Sequence, residues 1–106
     1  MPKYLLECSY SLDGIRGVVA KGGSARKAAA QAAAKSVGGK LESFYFAFGG
    51  TDAYVVFDAP DNEAAAALAL SVAATGAGSI RTVVLLSPQE IDAATKRDVK
   101  YVPPGG

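Results

Sequence analysis

Four residues of this 106-residue sequence carry polar groups where the surrounding pattern predicts a strand or a strand end. Glu7 and Arg81 are charged residues inside predicted strands, Tyr45 lies in an aromatic strand, and Asp52 follows a glycine turn. In one interpretation, the Glu7 carboxylate and the Arg81 guanidinium point into a partly closed space and orient a polar ligand there. The alternative is a structural ion pair, or Arg81 bound to a carboxylate across a subunit interface, where loss of one partner leaves a charge uncompensated.

Two chemical interpretations of these residues are open. In a metal-independent enzyme, Asp52 or Glu7 would act as the general base and Arg81 would stabilise a developing anion. In a protein without activity, Asp52 is a turn residue that binds local backbone amides. The tyrosines either line an aromatic pocket or belong to the core and interfaces; they are Tyr10, Tyr45, Tyr54 and Tyr101.

The sequence contains no histidine, and this absence excludes several classes of site. A Ser-His-Asp or Cys-His nucleophile, a histidine-bound haem and the common mixed histidine–carboxylate zinc sites all need that side chain. Four aspartates that stand apart from the glycine turn show no metal-ligand spacing; they are Asp58, Asp61, Asp92 and Asp98. We therefore predict neither a metal site nor a cofactor.

Charge and cysteine content restrict the partners and the compartment. Eleven Lys and Arg residues nearly balance ten Asp and Glu residues, whereas nucleic-acid and polybasic membrane-surface proteins carry a basic excess. Cys8 is the only cysteine; we expect an inert core thiol in a reducing compartment. No segment has the pattern of a signal peptide or the roughly 18 apolar residues of a membrane span. These features predict a cytoplasmic protein that binds neither nucleic acid nor membrane.

Alternating side chains predict strands over residues 4–11 and 40–48, and apolar runs predict two more over 53–58 and 80–86. A short glycine-bearing link between the second and third strands favours an antiparallel hairpin. The second strand places Phe44, Phe46 and Phe48 on one face and Leu41 and Tyr45 on the other, because side chains alternate across a pleated strand. Large apolar side chains therefore occupy both faces of the predicted sheet.

Alanine-rich segments predict two helices, over residues 25–37 with Ser24 as the N-cap, and from an Asp61 cap to about Ala74. Residues Ser87 to Glu90 match a capping box with proline at the first helical position. This motif predicts a short helix through about Lys96. Residues 13–23 contain four glycines and are predicted as a loop with at most one helical turn. Residues 17–24 also have the glycine spacing of a phosphate-binding loop, but glycine stands where that loop needs lysine.

The element order β-α-β-β-α-β, with a short C-terminal helix, predicts an α+β, ferredoxin-like fold. Right-handed crossings place both helices on one face of a four-stranded antiparallel sheet, with the strands in the order fourth, first, third, second. Residues 1–98 form this single domain, and residues 99–106 are an extended or disordered tail. The other face has no third layer to cover it, and an uncovered apolar face predicts association with a second copy.

Several short motifs follow one another in unbroken order over residues 2–95; they are Met1–Tyr4, Asp13–Arg16, Gly38–Leu41, Phe44–Tyr45, Gly49–Asp52, Ala59–Ala64 and Ile80–Thr82. Together they resemble the GYD-domain family. In the name-giving Gly-x-Tyr-Asp element Gly49 and Asp52 match, whereas Thr51 stands where tyrosine is usual. The resemblance implies a ferredoxin-like fold of the dimeric α/β-barrel kind, in bacterial proteins of mostly unassigned function.

In dimers of that kind two sheets meet across their open faces and can enclose a cavity. Related superfamilies include cofactor-independent monooxygenases, haem enzymes and small-ligand sensors, and the missing histidine disfavours the haem branch. The leading hypothesis is a cytoplasmic homo-oligomer, most simply a homodimer, that binds a small organic ligand in a pocket at the sheet or subunit interface. Glu7, Tyr45, Asp52 and Arg81 are its predicted pocket or interface residues. The alternatives are a metal-independent enzyme, monooxygenase- or isomerase-like by fold analogy, and a purely structural assembly module.

Overall fold

Four strands and four helices make up the protein, which a computed structural model describes over residues 1–106. The strands are β1 (Lys3–Tyr10), β2 (Lys40–Phe46), β3 (Ala53–Asp58) and β4 (Gly78–Leu85). The helices are α1 (Leu12–Lys21), α2 (Gly23–Ser36), α3 (Asn62–Ala74) and α4 (Pro88–Thr95). Every strand pair is antiparallel and the strand order is β2-β3-β1-β4. The predicted α+β ferredoxin-like fold is confirmed.

The segment predicted as a loop, residues 13–23, is mostly helical, so that prediction was wrong. The Ser11 hydroxyl accepts a hydrogen bond from the Gly14 backbone N–H at 3.2 Å and caps α1. A Cβ at Gly14 would overlap the Ala77 carbonyl oxygen, so this glycine lets α1 lie close to the start of β4. Capping and packing therefore outweigh the low helix propensity of glycine.

The start of α2 also differs from the prediction. Gly22 is both the C-cap of α1 and the N-cap of α2. Its φ of 84° lies in the left-handed region, which glycine adopts at little cost. Ser24 lies inside the first turn of α2 and provides no cap. Because residues 17–21 are helical, the glycine spacing over residues 17–24 does not form a phosphate-binding loop.

The predicted caps of α3 and α4 are confirmed. Asp61 Oδ1 accepts a hydrogen bond from the Ala64 backbone N–H at 2.8 Å. At the start of α4 the Ser87 hydroxyl accepts from the Glu90 N–H at 3.1 Å, and Glu90 Oε1 accepts from the Ser87 N–H at 3.0 Å. These short-range side-chain bonds satisfy amides that have no partner within the helix, which is why sequence alone locates them.

A β-bulge in β2 changes which of its side chains face the helices. The pairing register with β3 shifts at Glu42. The extra residue places Leu41 and Phe44 on the same face, where both pack against the core, whereas strict alternation predicted opposite faces. The strand ends at Phe46, so Phe48 lies fully exposed in the following turn rather than on the aromatic face.

The hydrophobic core lies between the sheet and helices α2 and α3. Tyr4 and Phe57 are its largest fully buried side chains, and the Tyr4 hydroxyl donates to Asn62 Oδ1 at 2.6 Å at the start of α3. The helices contribute mainly small side chains to this core, such as Ala34 and Ala65. Only nine residues are buried, so the helix layer does not fill the space above the sheet.

The C-terminal segment, α4 together with residues 96–106, extends away from this core. α4 buries none of its residues, and residues 99–106 form no helix or strand. The radius of gyration is 16.7 Å, whereas a compact chain of this length has a value of about 13 Å. No helix is both long enough and apolar enough to cross a membrane.

Candidate functional site

A cavity of about 540 Å³ lies between the sheet and helices α1, α2 and α3. This volume falls within the roughly 300–1,000 Å³ that is typical of small-molecule sites. The floor consists of β-strand side chains that include Leu6, Phe44 and Val55. The roof consists largely of alanines on α2, and because alanine ends at Cβ it leaves space that a larger side chain would fill.

The roof residues recur at helical spacing along α2. Arg26, Ala30 and Ala33 line the cavity together, because residues three or four apart lie on one face of a helix. Ala29 lies three positions after Arg26 and Ala34 four positions after Ala30, so both belong to the same lining face. Leu68 and Val72 on α3 close the other side. The lining is therefore mainly apolar, with polar groups in a minority.

Three of the polar groups come from β1 and α2. Cys8 and Tyr10 project from the end of β1, and Arg26 lies in the first part of α2. The ion pairs of the protein involve Lys3, Arg81 and Lys100, so no carboxylate lies within 4.0 Å of the Arg26 guanidinium. Arg26 is thus a half-buried cation without an acidic partner.

Burial changes the ionisation of the two neighbours of Arg26. It raises the pKa of the Cys8 thiol, and the positive charge of Arg26 opposes that rise. Burial also raises the pKa of the Tyr10 hydroxyl, and hydrogen bonding to Arg26 opposes it in the same way. Because both pKa values remain above their ordinary values, the thiol and the phenol are neutral at pH 7 and do not neutralise the guanidinium.

Three of the four residues predicted from the sequence lie on the opposite face of the sheet. Tyr45 pairs with Tyr54, Tyr54 pairs with Glu7, and Glu7 pairs with Arg81, which forms one row across all four strands. Arg81 Nε lies 3.6 Å from Glu7 Oε2, and the Arg81 side chain is 83% exposed. The structure therefore brings these residues together, but away from the cavity.

Asp52 does not join this row. Its Oδ2 accepts a hydrogen bond from the Tyr10 backbone N–H at 2.8 Å, and its own N–H donates to the Cys8 carbonyl oxygen at 2.8 Å. Asp52 thereby ties the turn before β3 to the end of β1. It contacts the backbone of two cavity residues without lining the cavity itself.

The sheet face that carries the Glu7–Arg81 row has no layer over it, and we refer to it as the open face. The neighbouring row is apolar and contains Leu5, Val56 and Val83. Beyond it, Lys3 Nζ lies 3.0 Å from Asp58 Oδ1 and 3.1 Å from Glu42 Oε1. Hydrogen bonds to Asp58 and then Glu42 raise the pKa of Lys3. The open face is thus an apolar band between two charged rows.

Sequence reasoning missed the cavity and its cation. Cys8 was predicted as an inert core thiol, and Arg26 falls within the helix predicted over residues 25–37, for which no functional role was predicted. The available signal was the spacing of Arg26, Ala30 and Ala33, which places one arginine on an otherwise alanine face of α2. That pattern does not distinguish a helix face over a cavity from a solvated face, so the signal was insufficient by itself.

These features define an α+β ferredoxin-like domain with a cavity between its helices and its sheet. The family model named GYD domain matches residues 4–95, from β1 to the end of α4. The chain therefore belongs to the GYD-domain family. Comparison with curated proteins and with solved structures gives no match.

Proposed function

We propose that this protein binds a small, mainly apolar organic molecule in the cavity between the helices and the sheet. The observation that carries the proposal is the 540 Å³ cavity itself, which is mostly apolar with a few polar groups. Side chains around an unfilled space lose packing contacts, and a ligand of matching shape restores them. The lone free thiol, Cys8, supports a reducing compartment such as the cytoplasm.

Binding is better supported than catalysis by the positions of the candidate groups. A general base and an anion-stabilising group must both reach one reacting molecule. Asp52 holds the Tyr10 backbone amide, and Glu7 and Arg81 lie on the face opposite the cavity. Within one chain, no carboxylate among the predicted candidates lines the cavity.

The test uses N-phenyl-1-naphthylamine, a neutral apolar dye that fluoresces when it leaves water. The chain has no tryptophan, so protein emission interferes little. We expect saturable binding with one dye per chain. In the variant Ala30→Phe the new ring occupies the cavity, and dye affinity is expected to fall by about tenfold or more, equivalent to roughly 1.4 kcal/mol.

The matched control is Ala32→Phe, which adds the same ring to an exposed position of α2 outside the cavity lining. This variant is expected to bind the dye like the wild type. Circular dichroism establishes that both variants are folded. Equal dye affinity in wild type and Ala30→Phe would place the dye elsewhere and refute the proposal.

We also propose that a second copy of the chain covers the open face, which makes the protein a homodimer. The supporting observation is the apolar band of Leu5, Val56 and Val83, which is only half-buried within one chain. Charged residues of both signs border this band, and the Arg81 side chain is mostly exposed and only loosely paired with Glu7. A two-fold axis places the same face of the partner opposite this one, so that opposite charges are able to meet along the border of the apolar band.

A further inference from the structure

The unpaired cation in the cavity indicates what the ligand carries, on the condition that the cavity binds a ligand as proposed above. Arg26 lines an otherwise mainly apolar space and has no carboxylate within 4.0 Å. Lys21 adds a second positive charge to the lining, and Asp13 is the only acidic residue there. The charged groups around the cavity therefore sum to a net positive charge.

The immediate neighbours of Arg26 do not compensate its charge. Cys8 and Tyr10 are neutral at pH 7, because burial raises the pKa of each. A guanidinium withdrawn from water loses hydration, and an anionic partner restores the lost interaction. Its planar donors match a carboxylate in a two-point hydrogen bond, which an ammonium group does not offer.

We propose that the ligand is a small amphipathic anion, a carboxylic acid with an apolar body, whose carboxylate binds Arg26. The apolar body lies under the alanines of α2 and against Leu6, Phe44 and Val55 of the sheet. The Tyr10 hydroxyl and the Cys8 thiol border the carboxylate end. Arg26 then determines which charge the cavity accepts, and the alanines determine how much apolar volume fits.

The first experiment measures displacement of N-phenyl-1-naphthylamine by three ten-carbon probes at pH 7. Decanoate is anionic, decanol is neutral and decylamine is cationic, while all three contain ten carbons and their alkyl chains differ by at most one. We expect decanoate to displace the dye at a concentration about tenfold lower than decanol, the magnitude of one charge-assisted hydrogen-bonded pair. Decylamine is expected to be the weakest, because Arg26 and Lys21 repel it.

The second experiment removes the cation. Arg26→Gln keeps a polar but uncharged side chain, and we expect it to weaken decanoate binding by about tenfold while decanol binding changes by less than about twofold. Arg16→Gln is the matched control, since Arg16 lies on α1, is exposed and does not line the cavity. It removes the same charge from the protein and is expected to leave both affinities unchanged.

Each outcome tests a different part of the proposal. If decanol binds as tightly as decanoate, or if Arg26→Gln weakens both probes equally, the anionic ligand class is wrong while the cavity remains a binding site. If Arg16→Gln weakens decanoate as much as Arg26→Gln does, the effect is due to net charge and the assignment of Arg26 is wrong. If neither the dye nor any probe binds, the proposed function itself fails.

Discussion

Arg26 influences Cys8 and Tyr10, although the three residues come from different elements. Burial raises the pKa of the Cys8 thiol and Arg26 partly offsets that rise. The thiolate is the reactive form of cysteine, so the thiol is expected to react slowly at pH 7. The pH dependence of Cys8 alkylation therefore reports on the charge at position 26.

At the residue scale we predict that Arg26→Gln shifts the alkylation profile of Cys8 to higher pH. Loss of the guanidinium removes the interaction that lowers the thiol pKa, so its pKa rises further. The measurement is the rate of reaction with iodoacetamide between pH 7 and about pH 10.5. The midpoint of the profile reports the pKa, whereas its plateau reports access to the thiol.

Arg16→Gln again serves as the control and is expected to leave the midpoint unchanged. A midpoint that stays constant or falls in Arg26→Gln would show that the guanidinium does not act on the thiol. Because the cavity assignment places the two groups together, such a result would also weaken the proposed carboxylate site.

At the scale of elements, Asp52 holds the end of β1 in place. Its carboxylate accepts the Tyr10 N–H, and its own N–H binds the Cys8 carbonyl oxygen. We predict that Asp52→Ala lowers the free energy of unfolding by about 1–3 kcal/mol, because the Tyr10 amide loses its acceptor. Urea denaturation measures the change.

The variant Asp52→Asn retains a side-chain oxygen that accepts from the same amide. It is expected to keep most of the stability that Asp52→Ala loses. If both variants are equally destabilised, the negative charge rather than the acceptor is what matters at this position. If neither is destabilised, the hydrogen bond contributes nothing measurable to folding.

The two capped helices differ in how strongly their caps are expected to affect global stability. α3 buries Ala65 and Leu68, whereas α4 buries no residue. We predict that Asp61→Ala costs about 1 kcal/mol of unfolding free energy, the usual value for loss of an N-cap. Ser87→Ala removes an equivalent cap but mainly frays α4, which unfolds locally.

Two measurements separate these effects. Urea denaturation is expected to move to lower urea for Asp61→Ala and to change little for Ser87→Ala. Amide hydrogen exchange is expected to accelerate within α4 in Ser87→Ala and nowhere else. An equal global loss in both variants would mean that α4 unfolds together with the core.

At the scale of the whole molecule, the open face predicts the oligomeric state. Size-exclusion chromatography with light scattering at micromolar concentration is expected to give twice the chain mass. Tyr54 lies in the row across the open face. In a dimer of Tyr54→Lys chains, the positive charges introduced at position 54 of the two subunits would repel each other. We predict that this variant elutes as a monomer while its fold is retained.

Tyr101→Lys makes the same replacement in the exposed C-terminal segment and is expected to remain dimeric. A wild-type protein that is monomeric at micromolar concentration would refute the dimer. A Tyr54→Lys variant that stays dimeric would place the interface elsewhere on the molecule. The cavity proposal is independent of both outcomes, because the cavity lies on the other side of the sheet.

Much of the fold follows from short-range patterns. Residues 53–58 form a mainly apolar and aromatic run that is typical of a strand, and the cap at Asp61 and the capping box at Ser87 involve residues only three apart. The first helix, α1, was missed because its glycines are unfavourable locally and are explained only by the approach of Gly14 to Ala77. The bulge at Glu42 was missed for a similar reason, since it exists only relative to the partner strand.

The site was predictable in part. Strand order and alternation were enough to pair Glu7 with Arg81, because those residues are neighbours in adjacent strands of this fold. They were also enough to expect an uncovered apolar face. Which side of the sheet contains a cavity was not predictable, because it depends on how far the alanine-lined helices stand from the sheet.

By itself the sequence determined the strands, the caps of α3 and α4, the antiparallel order and the absence of histidine chemistry, since each depends on residue type or local spacing. Only the tertiary structure decided that Cys8 and Tyr10 lie beneath Arg26, which follows them in the chain by eighteen and sixteen positions. The physical reason is that the placement of Arg26 near the end of β1 depends on how α1 and α2, which meet at Gly22, pack on the sheet. A cavity is a property of the space between packed elements, and no single element contains it.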